Sequence, residues 1–192
     1  MMAMKPYASR RFETDAVGYW IGQQDPKNVY LEIGSFRGGS LDAFGRCMSP
    51  GATLIAVDAP MPAENGGVKL LGTADGLCDD GYVAHVVLGG SEHASTQAAV
   101  KEHLAGRSVD VLLIDGRHTT PAATLDVANY VPLVRPGGLV IFHDVDPCVW
   151  EPTRSQGFID ALFPVWRKLA ARHGRKMIVQ AHAGYGFVWL NA

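Results

Sequence analysis

The fold of this chain follows from one stretch, Val29-Tyr-Leu-Glu-Ile-Gly-Ser-Phe-Arg-Gly-Gly-Ser40, in which an apolar run ends on a glycine-rich turn. The run from Val29 to Ile33 is typical of a strand whose two faces are both buried by helices. The glycine-rich turn predicts a helix from about Ser40 to Met48. The stretch therefore opens a strand–turn–helix unit of an α/β fold.

The same succession of apolar run, turn and helix recurs along the chain. It predicts further strands over residues 53–57, 82–88, 109–114 and 139–142. Strands that alternate with helices imply a parallel sheet with right-handed crossovers. The C-terminal part departs from this pattern: a helix is predicted over 156–173, with Pro164 either kinking it or starting a second segment. Strands over 176–180 and 185–190 then form an antiparallel hairpin.

The length of 192 residues indicates one domain, because domains commonly have about 100–200 residues. We divide it into an N-terminal helical segment (1–27), a cofactor-binding core (28–145), and a C-terminal region of loop, helix and β-hairpin (146–192). A packing helix is expected in the first segment, where Phe12, Val17, Trp20 and Ile21 are apolar.

Composition restricts the partners and the compartment. The net charge is −2, and there is no basic patch of the kind that binds nucleic acid. No apolar run approaches the ~20 residues of a membrane span. Three widely spaced cysteines, in no Cys-x-x-Cys pair, favour a reducing compartment. We therefore expect a cytoplasmic protein with neither nucleic acid nor membrane as a partner.

Polar residues or glycines follow each of the five predicted parallel strands. In strand order they are Gly34, Asp58, Gly90, Asp115 and the pair His143-Asp144. In open parallel sheets, ligands bind beyond the carboxyl ends of the strands. These residues are therefore expected to meet at one rim and to form the functional site.

The first turn distinguishes between classes of cofactor. In a dinucleotide-binding turn, G-x-G-x-x-G, the middle glycine lets the backbone approach a pyrophosphate, and Phe36 stands at that position here. S-adenosylmethionine carries no phosphate and does not need that approach. This favours S-adenosylmethionine over a nucleotide-dependent oxidoreductase. A non-catalytic cofactor-binding or scaffold protein remains an alternative.

Each part of S-adenosylmethionine has candidate residues at the rim. Glu32 and residues 34–40 would surround the methionine end. Asp58 would accept both ribose hydroxyls, and Gly90 with Ser91 would flank the adenine.

Three motifs together resemble class I S-adenosylmethionine-dependent methyltransferases. The stretch from Val29 to Ser40 resembles their motif I. The later motifs of one branch, which contains the macrocin and catechol O-methyltransferases, are resembled by two further stretches. They are Leu113-Ile-Asp-Gly-Arg-His118 and Val134-Arg-Pro-Gly-Gly-Leu-Val-Ile-Phe-His-Asp144. The resemblance implies a doubly wound, Rossmann-like α/β fold, with a seven-stranded sheet that is mostly parallel and has an antiparallel C-terminal strand. It places the cofactor on Glu32, Gly34, Ser35, Gly39, Ser40, Asp58, Gly90, Ser91 and Asp115.

The resemblance also implies a reaction centre. Asp115, His143 and Asp144 match the positions that hold a divalent metal in the catechol-type relatives, where Mg²⁺ or Mn²⁺ would bind the acceptor oxygen. His118 matches the position of the base, so the predicted catalytic residues are His118, Asp115 and Asp144. The expected reaction is O-methylation of a small hydroxylated molecule, the methyl acceptor.

Alternatives remain open at this centre. If His143 ligates the metal directly, manganese, iron or zinc is favoured, whereas Asp115 and Asp144 with water would suit magnesium. Without a metal, the histidines would cap turns and Asp144 would cap a helix. Since few residues precede the first strand, the acceptor pocket is expected to be open or completed by another subunit of a homo-oligomer.

Overall fold

The computed structural model describes residues 6–60, 67–146, 155–179 and 184–192. Most of the predicted loop after residue 146, including Trp150, lies outside these residues. The strands are β1 Val29–Ile33, β2 Thr53–Asp58, β3 Val83–Leu88, β4 Val109–Ile114, β5 Val134–His143, β6 Arg175–Val179 and β7 Tyr185–Trp189. The helices are α1 Pro6–Gly22, α2 Gly39–Gly45, α3 Gly67–Asp79, α4 Ala94–Leu104, α5 Thr120–Tyr130 and α6 Ser155–Ala170.

The seven strands form one sheet in the order β3-β2-β1-β4-β5-β7-β6. Strands β1 to β5 pair in parallel, and β7 runs antiparallel to both of its neighbours, β5 and β6. The prediction of a seven-stranded, mostly parallel sheet with an antiparallel C-terminal strand is confirmed. The strand order reverses between β1 and β4, which is the place where doubly wound folds bind ligands.

Both faces of the central strands β1, β2 and β4 are buried, as the unbroken apolar runs predicted, whereas the edge strand β3 is partly exposed. All six residues of β4 are buried, and the five apolar ones divide between two apolar clusters. Leu112 and Ile114 pack on the face covered by α4, α5 and α6, whereas Val111 and Leu113 pack with α1, α2 and α3. Each such side chain contributes roughly 1.5–3 kcal/mol by leaving water. This burial holds the strand ends in fixed positions.

The terminal helices pack on the sheet through apolar stripes. Val17 and Ile21 of α1 are fully buried, as expected for a packing helix. Helix α6 buries Leu162 and Trp166 and continues through Pro164, so Pro164 does not start a second segment. Within the described residues, no helix combines the length and the apolar character needed to span a bilayer.

Strand β5 begins five residues earlier than the predicted 139–142, because a tertiary contact orders its first half. The carboxylate of Asp110 accepts hydrogen bonds from the backbone N–H of Asn28 and Val29 and from Nε of Arg135, at 2.7 to 2.9 Å. The register against β4 shifts between Val109 and Val111. Pro136, Gly137 and Gly138 are unfavourable in an isolated strand, so the sequence did not predict one here. The strand forms because the fold places β4 beside it.

Candidate active site

Two adjoining cavities lie at the carboxyl ends of the parallel strands, and Gly34, Asp58 and Gly116 line both. The glycine-rich cavity, of about 400 Å³, is lined by Ile33, Gly34, Val57, Asp58, Ala59, Gly89, Gly90, Ser91, Glu92, Gly116 and Arg117. The His–Asp cavity, of about 380 Å³, is lined by Gly34, Phe36, Asp58, Asp115, Gly116, His118, His143 and Asp144.

Gly34 allows the turn after β1 to lie directly against the turn after β4. Its φ is +91°, and a Cβ at this position would lie 2.1 Å from the carbonyl oxygen of Asp115. Only glycine fits such an approach without moving the backbone. The Phe36 N–H donates to the carboxylate of Asp58, which links the same turn to the end of β2. The three strand ends are thereby held together where the two cavities meet.

Glu32 lies behind this turn and is fully buried. It accepts hydrogen bonds from the Tyr30 hydroxyl at 2.6 Å and from Ser40 Oγ at 2.7 Å. Burial raises the pKa of the Glu32 carboxyl to about 7, although both hydrogen bonds oppose that rise. Glu32 and Ser40 thus tie β1 to the start of α2.

A second buried carboxyl group, that of Asp126 on α5, contacts the lining of the glycine-rich cavity at Ser91. Ser91 Oγ donates to Asp126 at 2.6 Å, and the Tyr130 hydroxyl donates to the Ser91 carbonyl at 2.8 Å. Burial raises the pKa of Asp126 to about 6. A Cβ on Gly116 would come within 3.3 Å of the same carboxyl group. Helix α5 therefore holds Ser91, one of the residues that line the cavity, in place through Asp126 and Tyr130.

Two carboxylates and two imidazoles form the His–Asp cluster: Asp115, His118, His143 and Asp144. Nε2 of His118 lies 3.2 Å from Asp115 Oδ1 and 3.0 Å from Asp144 Oδ2. Nδ1 of His143 lies 3.1 Å from Asp115 Oδ1. Asp144 is nearly buried and has a φ of +54°, in the left-handed region. This backbone conformation is uncommon outside glycine and concentrates at functional sites.

The charges in this cluster stabilise one another. Hydrogen bonds to Asp115 and Asp144 raise the pKa of His118 to about 9, so the imidazole is protonated at neutral pH in this arrangement. Burial acts to raise the pKa of Asp115, but His143 and His118 outweigh it and the pKa is lowered. The cluster therefore holds ionised groups of both signs beside an open cavity.

The cluster also has the donor set of a divalent-cation site. One ligand atom each from Asp115, His118 and Asp144 lies within 4.8 Å of the other two. Carboxylate oxygens with an imidazole nitrogen suit Mn²⁺, and the two carboxylates with water suit Mg²⁺. Nδ1 of His143 is directed at Asp115, as is common for a residue that orients a ligand. These residues therefore fit a metal.

The structure places the predicted site residues in two groups. Eight of them line the two cavities: Gly34, Asp58, Gly90, Ser91, Asp115, His118, His143 and Asp144. The other four, Glu32, Ser35, Gly39 and Ser40, line neither cavity. They lie in the buried β1 segment behind the turn, in the turn itself and at the start of α2.

Sequence reasoning did not include several residues that the structure brings to the site. Phe36 was expected as part of the turn 34–40 around the methionine end and as an obstacle to pyrophosphate, and it lines the His–Asp cavity instead. Gly116 and Arg117 lie between two predicted residues in the same motif, and Glu92 directly follows Ser91, so proximity in sequence was a usable signal. Asp126 had no local signal, because only the packing of α5 brings it to Ser91.

The family model described as "Methyltransferase domain" matches residues 31–145, which run from within β1 to just past β5 and include the whole His–Asp cluster. Among curated proteins, the chain is 36% identical over 64 residues to an uncharacterized protein, y4gI, of Sinorhizobium fredii. That match covers 33% of this chain and only 6% of y4gI.

Solved structures that are similar in fold include two methyltransferases. The O-methyltransferase TomG from Streptomyces achromogenes, involved in tomaymycin synthesis and solved with SAM, has a TM-score of 0.65 at 16% identity. That similarity covers 97% of this chain and 87% of TomG. The mycinamycin-pathway methyltransferase MycE, solved with Mg, SAH and mycinamycin VI, has a TM-score of 0.54 at 18% identity. That similarity covers 97% of this chain and 49% of MycE. At these identities the likeness concerns the fold.

Proposed function

Since this chain belongs to the methyltransferase-domain family, we propose that it is an S-adenosylmethionine-dependent O-methyltransferase that acts on a small hydroxylated molecule. One observation carries the proposal: a glycine-rich cavity and a His–Asp cavity adjoin at the carboxyl ends of the strands and share Gly34, Asp58 and Gly116. A methyl donor and an acceptor need two such adjoining spaces, because transfer requires the reacting atoms to lie about 3–3.5 Å apart.

We assign the cofactor to the glycine-rich cavity and the shared turn. Asp58 at the end of β2 would accept the ribose hydroxyls, while Gly90 and Ser91 would flank the adenine. Glu32 and Ser40 would support the methionine end through the hydrogen bond between them. TomG and MycE, which have this fold, were solved with SAM and SAH. When bound, S-adenosylmethionine supplies an electrophilic methyl group whose bond to sulfur breaks as the bond to the acceptor oxygen forms.

We assign the acceptor hydroxyl to the His–Asp cavity. Asp115 and Asp144, with His118 or water, would hold Mg²⁺ or Mn²⁺, which lowers the pKa of a bound hydroxyl. His118 faces both carboxylates through Nε2. Where water instead of His118 completes the metal site, His118 is our candidate for the group that receives the hydroxyl proton. In the described arrangement His118 already carries a proton, which its hydrogen bonds to Asp115 and Asp144 stabilise. His118 can therefore accept the hydroxyl proton only after ligand binding has changed these two contacts. His143 would keep Asp115 oriented.

Titration calorimetry tests the proposal. S-adenosylhomocysteine is titrated into the protein with Mg²⁺, with Mn²⁺ and with EDTA, and the series is repeated with NAD. We expect S-adenosylhomocysteine to bind and NAD not to bind, because Phe36 stands where a pyrophosphate needs glycine. Heat that depends on the metal would support a cation at the His–Asp cluster.

The contrary outcomes identify the alternatives. Binding of NAD instead of S-adenosylhomocysteine would revive the oxidoreductase. Absence of binding under all conditions would contradict the cofactor assignment and favour a scaffold protein.

A further inference from the structure

Phe36 places an exposed aromatic ring at the candidate active site. Phe36 is 55% exposed, although phenylalanine is among the residues most often buried. It lines the His–Asp cavity together with Asp115, His118 and Asp144. An exposed aromatic side chain beside a cluster of charged groups is suited to contact a ligand.

Phe36 also has a backbone conformation that is uncommon for a phenylalanine. Its φ of +48° lies in the left-handed region, which glycine adopts freely and a bulky residue rarely adopts. The N–H to Asp58 holds the residue in this conformation. A glycine here would make the same backbone hydrogen bond without strain, so the backbone gives no reason for the aromatic ring. Strain of this kind, when it is found at a site, suggests a functional role for the side chain.

The neighbouring charge orients the ring. The guanidinium carbon of Arg37 lies 4.9 Å from the centroid of the Phe36 ring, within the range of a cation–π contact. Arg37 thus covers part of the ring, and 55% of the residue remains exposed. A second aromatic ring could pack against that exposed part in an offset or edge-to-face geometry.

We propose that Phe36 is a specificity-determining residue that stacks against the aromatic ring of the acceptor and so presents a phenolic hydroxyl to the His–Asp cluster. This inference rests on the proposed function, because it assigns the acceptor to the His–Asp cavity. It adds the substrate class: a hydroxyl carried by a flat aromatic ring is selected over one carried by a saturated ring of similar size. Offset or edge-to-face pairing between two aromatic rings needs a second π-system, which a saturated ring lacks.

The test uses saturation-transfer-difference NMR on the complex of the protein with S-adenosylhomocysteine. Phenol and cyclohexanol are the probes, because both carry one hydroxyl on a six-membered ring and differ in the π-system. We expect saturation transfer to phenol at least about fivefold stronger than to cyclohexanol, the ratio that a stacking contact of ordinary strength gives.

Two variants locate the contact. Phe36→Gly should reduce transfer to phenol to the level of cyclohexanol without lowering the melting temperature, because glycine accepts the backbone conformation. Phe36→Tyr keeps the ring and should retain the phenol signal. Tyr19→Ala is the matched control, since it removes a 58% exposed aromatic side chain from α1, away from the cavity.

The outcomes separate this inference from the proposed function. Equal transfer to the two probes in the wild-type protein, or an unchanged phenol signal in Phe36→Gly, would overturn the role of Phe36. Loss of S-adenosylhomocysteine binding in the wild-type protein would instead overturn the proposed function. Selective binding of phenol that disappears in Phe36→Gly and persists in Phe36→Tyr and Tyr19→Ala would support the inference.

Discussion

The two adjoining cavities differ in what they are made of. Four of the eleven residues that line the glycine-rich cavity are glycines, and Ser91 in its lining donates a hydrogen bond to the buried carboxyl group of Asp126. The His–Asp cavity is lined by charged side chains that contact one another. We therefore expect shape to contribute more to ligand binding in the first cavity, and charge to contribute more in the second. Substitutions should affect cofactor binding and metal binding separately, except at the residues that both cavities share.

The largest effect is expected at a shared residue. Gly34→Ala places a methyl group 2.1 Å from the carbonyl oxygen of Asp115, at a φ that disfavours alanine. We expect the free energy of unfolding to fall by roughly 3–5 kcal/mol. Displacement of the turn should weaken S-adenosylhomocysteine binding by about 100-fold or more, together with Mn²⁺ binding. Denaturant unfolding and calorimetry measure both effects.

Gly51→Ala is the matched control for this substitution. Gly51 also has a positive φ, +75°, but a Cβ there would meet nothing within 4 Å. It should cost about 1–2 kcal/mol of stability from backbone strain alone and leave ligand binding intact. Equal effects of the two variants would show that the close approach at Gly34 is unimportant.

The buried Asp126, which bonds to Ser91 of the glycine-rich cavity, should make the stability of the protein depend on pH. Its folded-state pKa is raised to about 6, so its contribution to stability is complete below the unfolded pKa and is lost as pH rises through about 6. Asp126→Asn removes this titration and keeps an oxygen that can accept the Ser91 hydrogen bond. Between about pH 4 and pH 8, the variant should gain roughly 2–3 kcal/mol of stability relative to the wild type.

Unfolding by urea at several pH values measures this difference. A constant difference between variant and wild type across the range would contradict a raised pKa for Asp126.

Asp144→Asn tests the charged cavity alone, because Asp144 lines only that cavity. Removing one carboxylate from the donor set should reduce Mn²⁺ affinity roughly 10- to 100-fold, measured by electron paramagnetic resonance. S-adenosylhomocysteine affinity should change by less than about threefold. Asp42→Asn is the control, since Asp42 is an exposed carboxylate paired with Arg46 on α2. Equal loss of Mn²⁺ in both variants would indicate nonspecific binding.

The smallest effect is expected for Ser91→Ala. The Ser91 hydroxyl bonds to Asp126, so its loss should cost about 1 kcal/mol of stability. The effect on S-adenosylhomocysteine affinity should be less than about threefold, because the hydroxyl is used within the protein. A large loss of affinity would show that the hydroxyl binds the cofactor directly, as the sequence alone suggested.

The sequence predicted the β-strands better than the bounds of the other elements. Strands β1, β2 and β4 were predicted to within one residue, because uninterrupted apolar runs in a sheet buried on both sides leave little ambiguity. Strand β5 was predicted too short, since its first half depends on the Arg135 contact with Asp110. Helix α2 ends at Gly45 instead of Met48, a difference that periodicity cannot resolve.

The site was predicted in its location and only partly in its composition. The rule that strand ends meet at one rim brought Asp58, Asp115 and Asp144 to the same place. The rule says nothing about which side chains touch. His118 was expected as a base apart from the metal ligands; in the structure its Nε2 lies beside both carboxylates, in a group of three residues whose spacing could hold a metal ion.

The sequence by itself determined the α/β class, the parallel sheet and the rim where its polar residues meet, because these depend on hydrophobic periodicity and local turn chemistry. Only the tertiary structure decided which groups are paired: Glu32 with Tyr30 and Ser40, Ser91 with Asp126, and His118 with two aspartates. Such pairings join residues whose distance depends on how strands and helices pack. Burial then shifts their pKa values, a property that no single stretch of sequence contains.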